Sequence, residues 1–252
     1  MNASQAVSRA FDAGRVIPAF NVPYLPMIEP VARAIGGEGI VAMIQVARLE
    51  WEKFEAGSLE RVAEEYARHR APGTLLHLDH VPIIDEDGLR VDYLPILRRA
   101  ISAGYQSLMV DGSRLPLNEN IAATAEAAQL AREAGLPCEA ELGAVMGHES
   151  GPSLPYDEIF QRRLGFTDVA QATRFARESG CSWLSVAVAS VHGAIAQNMR
   201  DQKKPAARLD IGHIGALREA LGIPMVLHGG SGIEQRHILG GIAAGIAKIN
   251  IG

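Results

Sequence analysis

Apolar and polar positions along this chain switch repeatedly between two periods, and the switching outlines a fold. Short apolar runs of β character predict strands over Val16–Val22, Gly39–Val46, Thr74–His80, Ser107–Ser113, Pro137–Gly143, Trp183–Ser190, Pro224–Leu227 and Ala247–Ile251. Between them, apolar residues return at helical spacing over Met27–Ile35, Ser58–His69, Asp92–Ala103, Asn118–Glu133, Thr167–Ser179, Leu209–Leu221 and Glu234–Ala244, with a short helix over Ser4–Gly14 in front. Ser58 and Asp92 stand where N-caps belong, while Gly36-Gly37 and Gly135 read as stop signals. Residues 147–165 hold no steady period and include Gly151, Pro152 and Pro155, which predicts a flexible loop of the functional-lid kind.

Strict β–α alternation implies parallel strands, since each crossover needs its own helix. Eight such units in 252 residues are the arithmetic of a (β/α)8 TIM barrel, an α/β fold. An open doubly wound sheet would carry a glycine-rich turn after the first strand, and Asn21-Val22-Pro23-Tyr24 is nothing like one. Residues 1–252 therefore read as a single domain that lacks the helix after its last strand.

Composition changes this picture little. A hydrophobic share of 48%, a charged share of 21% and a formal charge of −5 are ordinary for a globular protein. No basic stripe argues for nucleic acid, and no apolar run approaches membrane-spanning length. The N-terminus lacks a secretory pattern, and Cys138 and Cys181 form no disulfide framework, so a reducing cytoplasm is the expected location. The cysteines read as small core residues.

The chemistry collects at one end. Barrel enzymes carry their catalytic groups at the C-terminal ends of the strands. Here those ends offer Asn21, Gln45, Asp79 with His80, Asp111 with Ser113, Glu141, His192, His228 and Asn250. Asp79 and His80 close the run Leu75-Leu76-His77-Leu78, and adjacent strand residues face opposite ways, so both serve one site only if the chain turns at His80. Of eight histidines, His80, His192 and His228 end strands three, six and seven, and three imidazoles with an open position make a catalytic zinc set. His69, His213 and His237 fall within helices as surface or packing residues, and His77 is placed to support a ligand or acid. The run His228-Gly229-Gly230-Ser231-Gly232 leads into a helix, where backbone N–H groups cradle phosphate. Val191-His192-Gly193-Ala194 repeats the design on strand six. Asp79, Asp111, Glu141 and Glu149 are the candidate proton-transfer acids, and Glu139 is left unassigned.

With these residues assembled, the chain resembles the class II, metal-dependent ketose-bisphosphate aldolases, those acting on fructose and tagatose bisphosphates. The likeness runs through Ala19-Phe20-Asn21-Val22, Leu76-His77-Leu78-Asp79-His80, Val110-Asp111-Gly112-Ser113, Glu139-Ala140-Glu141-Leu142-Gly143, Ala187 to Gly193, Val226 to Gly232 and Lys248-Ile249-Asn250-Ile251. The resemblance implies Asp79 as acid/base at the substrate's C4 hydroxyl and Glu149 as the mobile-loop glutamate that exchanges a proton with the enediolate carbon. It implies His80, His192 and His228 as ligands of zinc or another divalent ion, and Asp111 and Glu141 as holders of a second metal, with room for a monovalent cation. Gly193, Gly229, Gly230, Ser231 and Asn250 would contact dihydroxyacetone phosphate, with Asn21 among the substrate-binding residues. The implied reaction is retro-aldol cleavage of a phosphorylated ketose through a zinc-stabilised enediolate, a lyase step of carbohydrate metabolism such as glycolysis. A small phosphorylated sugar is then the partner, no nucleic acid or membrane is involved, and a homo-oligomer, dimer or tetramer, is expected.

The chain departs from the family pattern in three places. Gln45-Val46-Ala47 puts alanine where the family has a phosphate-binding serine, Val81-Pro82 follows the Asp79-His80 pair in place of a small residue, and His148 stands where the family has an acid or another polar group. Ending at Gly252 leaves the outer face of strand eight uncovered, which predicts either a longer natural chain or a partner subunit over it. The competing readings are an aldolase for a less phosphorylated ketose, a metal-dependent TIM-barrel hydrolase, and a catalytically weak homologue.

Overall fold

The computed structural model describes residues 1–143, 156–188, 208–230 and 233–252. Eight parallel strands close into a barrel in sequence order: β1 (Ile17–Asn21), β2 (Ala42–Ala47), β3 (Thr74–Pro82), β4 (Ser107–Asp111), β5 (Cys138–Leu142), β6 (Trp183–Val186), β7 (Met225–Leu227) and β8 (Ile246–Ile251), with β8 pairing back onto β1. The helices are α1 (Ala3–Asp12), α2 (Ile28–Glu38), α3 (Arg48–Glu52), α4 (Leu59–His69), α5 (Tyr93–Ala103), α6 (Leu117–Glu133), α7 (Tyr156–Arg162), α8 (Val169–Ser179), α9 (Ile211–Leu221) and α10 (Gln235–Ala244). The barrel expected from the pattern is the observed one. No helix among the described residues is long and apolar enough to cross a membrane.

Three local expectations need correction. Helix α2 passes through Gly36 and Gly37 and stops at Gly39, whose φ of 64° supplies the left-handed cap. Gly36 marks close packing instead, since a Cβ there would lie 2.8 Å from the Ala71 Cβ. Helix α3 was not signalled, because five residues hold too little periodicity to register. Within the stretch expected to be a loop, residues 156–162 form α7. Of the caps, Ser58 accepts from Arg61 N as expected, whereas the Asp92 side chain makes no capping bond.

Two hydrophobic layers lie outside the barrel. Outward residues of β2 to β4, such as Ile44, Val46, Leu76, Leu78, Leu108 and Val110, pack against α2, α4 and α5, and a second cluster continues around β5 to β8. A third, smaller cluster joins the buried face of α1 (Ala3, Ala6, Val7, Ala10) to Ile17, Ala19, Met43, Leu75, Trp183 and Val226. Helix α1 thereby closes the N-terminal end of the barrel with apolar groups. The opposite, C-terminal end is left for polar ones.

Above that floor the interior is polar. Gln45, His77, Ser107, Glu139, Ser185, His228 and Lys248 are all fully buried, although a barrel core is ordinarily filled by branched aliphatic residues. Buried polar groups persist only when they are paired. Their partners define the site.

Candidate metal centre and acid/base site

The turn that the sequence required at His80 is a β-bulge. On β3, Leu78 pairs with Leu108 and Val81 with Val110, so Asp79 and His80 together oppose the single residue Met109. His80 takes a φ of 20°, a conformation non-glycine residues rarely adopt. The extra residue undoes the strand's alternation, so both side chains serve the same site. The strand does not end there: it continues through Pro82, which pairs with Asp111.

Asp79 is buried and gripped from two sides. Its Oδ2 accepts from Asn21 Nδ2 at 3.0 Å and its Oδ1 from Asn250 Nδ2 at 3.0 Å. Each amide is oriented from behind. Gln45 Nε2 donates to Asn21 Oδ1 at 2.7 Å, and Lys248 Nζ donates to Asn250 Oδ1 at 2.7 Å. Burial pushes the Asp79 carboxyl up, but the charges of His80 and Lys248 outweigh it and hold the group well below the usual carboxylate range. Asp79 is therefore an anion at neutral pH.

The rings of His80 and His228 stand edge to face with centroids 4.5 Å apart. His228 Nε2 lies 2.9 Å from Glu139 Oε1 and its Nδ1 lies 3.2 Å from Glu141 Oε2. Burial opposes charge on Glu139, yet the Lys248 ammonium and the His228 hydrogen bond bring its pKa down to about 2. As an anion it only accepts, so His228 Nε2 carries a proton toward it; burial and the neighbouring His80 oppose charge on His228, but Glu139 and Glu141, one at each ring nitrogen, raise its pKa. His80 Nδ1 lies 3.3 Å from Asp111 Oδ2 and 4.0 Å from Glu141 Oε2. Burial lowers the basicity of His80, but Asp79, Asp111 and Glu141 together raise its pKa to about 10.

These groups fit a divalent cation. Glu141 Oε2 is buried without an aligned hydrogen bond, and it faces both imidazoles. Donor atoms of Asp79, His80 and His228 lie within 4.8 Å of one another, as do those of His80, Asp111 and Glu141. Mixed imidazole and carboxylate ligands suit zinc and its neighbours. The glycines after β7 belong to the same rim. Gly229 has a φ of 69°, and a Cβ on Gly230 would touch Ile249 Cγ2 at 3.0 Å, so the turn lies directly on β8 beside Asn250.

Of the residues expected from the sequence, Asn21, Asp79, His80, Asp111, Glu141, His228 and Asn250 thus converge, with Gly229 and Gly230 alongside. Glu149, His192, Gly193 and Ser231 lie outside the described residues, as do His148 and much of the expected loop. Sequence reasoning passed over Lys248 and left Glu139 unassigned, and it gave no role to Glu50. The available signal was polar residues two apart on a strand, His77/Asp79, Glu139/Glu141 and Lys248/Asn250, which put pairs on one inward face. His77, expected to support a ligand or acid, lies behind Glu139: Nδ1 meets Ser107 Oγ at 2.8 Å and Nε2 lies 3.5 Å from Glu139 Oε2. Burial and then Lys248 lower its pKa to about 3, so it stays neutral. Glu50 on α3 accepts from Ala47 N at 2.7 Å and from Asn21 Nδ2 at 3.4 Å, and burial, reinforced by Asp79, pushes its pKa up to about 7.

Supports behind the rim hold these strand ends in register. Asn120 of α6 donates to Glu141 O at 3.0 Å and packs against Gly112, while Thr167 bonds Leu142 O and Ala187 N. His213, expected as a packing residue, meets Thr167 O at 2.8 Å through Nε2.

Comparison with known proteins gives the family and the fold. The family described as fructose-bisphosphate aldolase class-II matches residues 1–252. A 6-phospho-5-dehydro-2-deoxy-D-gluconate aldolase of Bacillus velezensis is 37% identical over 177 residues, 70% of this chain and 52% of that protein. The matched stretch thus spans about half the length of that relative. A fructose-bisphosphate aldolase of Streptococcus pneumoniae is 30% identical over 258 residues, 100% of this chain and 78% of that one. Among solved structures, the YdjI aldolase of Escherichia coli K12 superposes with a TM-score of 0.75 at 26% identity, covering 98% of this chain and 79% of that one. A putative fructose-1,6-bisphosphate aldolase of Coccidioides immitis gives a TM-score of 0.74 at 27% identity, covering 99% and 80%.

Proposed function

We infer that this chain, which belongs to the class-II fructose-bisphosphate aldolase family, is a metal-dependent aldolase that cleaves a phosphorylated ketose to dihydroxyacetone phosphate and an aldehyde. One observation carries the reading: Asp79, with both oxygens held by asparagine amides, adjoins His80, whose ring stands 4.5 Å from that of His228. A carboxylate kept anionic and fixed in place is a base for the C4 hydroxyl of the ketose. Loss of that proton drives the C3–C4 bond to break, and the electrons move toward C2.

A zinc or similar divalent ion held by His80, His228 and, on the resemblance of the sequence, His192 would supply Lewis-acid polarisation of the C2 carbonyl. Glu139 keeps the His228 ring turned with Nδ1 toward that place, and Asp111 braces His80. Asp111 and Glu141 offer carboxylate oxygens for a second cation. Gly229, Gly230, Ser231, Gly193 and Asn250 are proposed to receive the phosphate-bearing half, and Glu149 to exchange the proton on the carbon that loses its bond. Lys248 is engaged by Glu139 and Asn250, so the reading uses no lysine Schiff base.

The relatives' names point to two substrates. In 6-phospho-5-dehydro-2-deoxy-D-gluconate, a ketone at C5 beside a phosphate at C6 marks the same dihydroxyacetone phosphate half as in fructose bisphosphate. The test is a panel of these two with tagatose 1,6-bisphosphate, given to the metal-loaded protein. Release of dihydroxyacetone phosphate, abolished by chelator and by Asp79→Ala, supports the proposal. Metal binding without cleavage of any of them contradicts the proposal and favours the aldolase for a less phosphorylated ketose or the hydrolase, and a protein that takes up no metal favours the weak homologue.

A further inference from the structure

We propose that Lys248 is a positioning residue for this reaction: buried in the barrel, it decides which end of the Asn250 amide faces Asp79. The inference rests on Asp79 being the base, as argued above.

Lys248 and Asn250 are two apart on β8 and share its inward face. Lys248 is fully buried, with Nζ 2.9 Å from Glu139 Oε2 and 2.7 Å from Asn250 Oδ1. A lysine has three donors and no acceptor, so only the oxygen end of the amide can turn to it. The Asn250 nitrogen is thereby forced toward Asp79 Oδ1, 3.0 Å away. Flipping the amide would set its NH2 against the ammonium and its oxygen against the carboxylate, replacing two attractions by two repulsions. Asn21 is held the same way by Gln45, through a neutral partner. Both Asp79 oxygens are thus gripped, and the carboxylate cannot rotate away from the geometry in which it meets a hydroxyl.

Stability alone does not account for this lysine. Lysine is almost never fully buried unless it is paired, and a buried ion pair often contributes nothing over an apolar pair of similar volume. The rival explanation is that Lys248 only balances the charge of Glu139, which His228 needs. A double substitution separates the two. In Lys248→Met/Glu139→Gln the charges cancel, the glutamine oxygen still accepts from His228 Nε2, and its NH2 reaches toward His77 Nε2, so the imidazoles keep their supports. The orientation of Asn250 is released, and the Lys248 charge that helps keep Asp79 anionic goes with it; the pH profile of kcat separates the two, since loss of the charge moves the acid limb upward while misorientation lowers kcat at every pH.

The experiment compares wild type with this double variant, both in the full chain loaded with zinc. Thermal melting checks folding, equilibrium dialysis measures zinc affinity, and steady-state cleavage gives kcat and KM separately. The Asn250 side-chain amide is followed by NMR. The expected result is near-native melting and zinc affinity, an unchanged KM, and kcat lower by about 10–100-fold, the scale set by misplacing a reacting group. The Asn250 NH2 signals, protected in wild type by the carboxylate, exchange freely in the variant. Wild-type kcat with protected Asn250 signals would overturn the proposal and leave Lys248 as a counter-charge. If the wild type cleaves no ketose, the functional reading fails by itself, and the amide signals still decide whether Lys248 orients Asn250. Should the double variant fail to fold, Lys248→Arg, which keeps the charge and has donors but no acceptor, must retain the protected amide signals; their loss in a folded Lys248→Arg would overturn the proposal.

Discussion

Asp79 Oδ1 and Asn250 Nδ2 lie 3.0 Å apart, although 171 residues separate them in the chain. Strand β3 and strand β8 are not neighbours in the barrel, since β1 and β2 stand between them. The bond therefore crosses the interior, and it exists because closure turns both strand ends to one rim. If this grip matters to the base, removing either amide should lower kcat more than it raises KM. Asn250→Ala and Asn21→Ala are expected to lose about 10-fold or more, and Asp79→Asn about 10²–10⁴-fold, with zinc content unchanged. Steady-state kinetics beside metal analysis of the same preparations checks this. A KM effect alone would make the amides substrate contacts only.

Metal uptake should release protons. In the absence of an ion, His80 is held protonated up to about pH 10 by Asp79, Asp111 and Glu141, even though burial opposes it. A raised pKa means that the proton competes with the cation everywhere below that value, so affinity rises with pH across the neutral range and falls toward acid. Calorimetric titration of zinc into chelator-stripped protein, in buffers of different ionisation enthalpy, measures the protons displaced. Pairwise equal heats across buffers would contradict the protonated resting state.

Gly112→Ala should damage the metal centre from behind. A Cβ at that position would lie 2.2 Å from Asn120 Oδ1 and 2.8 Å from its Cγ, so the amide that holds the Glu141 carbonyl has to move. We expect a stability loss of about 1–3 kcal/mol and weaker zinc binding. A melting curve and a zinc titration read both. Retention of both would show that Asn120 adapts at no cost.

Glu50 gives a pH-dependent stability signature. Its pKa rises from 4.5 to about 7 on folding, chiefly through burial. Between those values the native state holds a proton that the unfolded chain has lost. Its favourable contribution is thus complete below about pH 4.5 and is lost as pH rises through about 7. Glutamine does not titrate and its oxygen still accepts from Ala47 N. Glu50→Gln should therefore stabilise the protein by about 1–3 kcal/mol above pH 7 and leave it unchanged near pH 4.5. Denaturant melts at the two pH values test this, and an equal effect at both would refute the titration.

The sequence was informative where one residue carries one rule. Alternating periods gave the barrel, and polar residues at strand ends gave Asp79, His80, Asp111, Glu141, His228 and Asn250. It also required a turn at His80, but the structure makes that turn with an inserted residue in β3 and lets the strand run on to Pro82. What was not legible depends on pairing across the interior. Lys248 looks like a solvent-facing lysine until β5 brings Glu139 to 2.9 Å. Gly36 looks like a helix stop until Ala71 is seen against it. Glu50 lies in a stretch with no legible period, and only Ala47 N and Asn21 Nδ2, which it accepts from, give it a place.

The central claim is that His80 and His228 hold a catalytic divalent ion with Asp79 beside it as an unligated base. An anomalous-difference map from a zinc-loaded crystal tests this directly. The predicted result is a single strong peak about 2.0–2.1 Å from a ring nitrogen of each histidine, with the Asp79 carboxylate still bonded to Asn21 and Asn250. A peak elsewhere, with the two imidazoles still turned to their carboxylate neighbours, would contradict it.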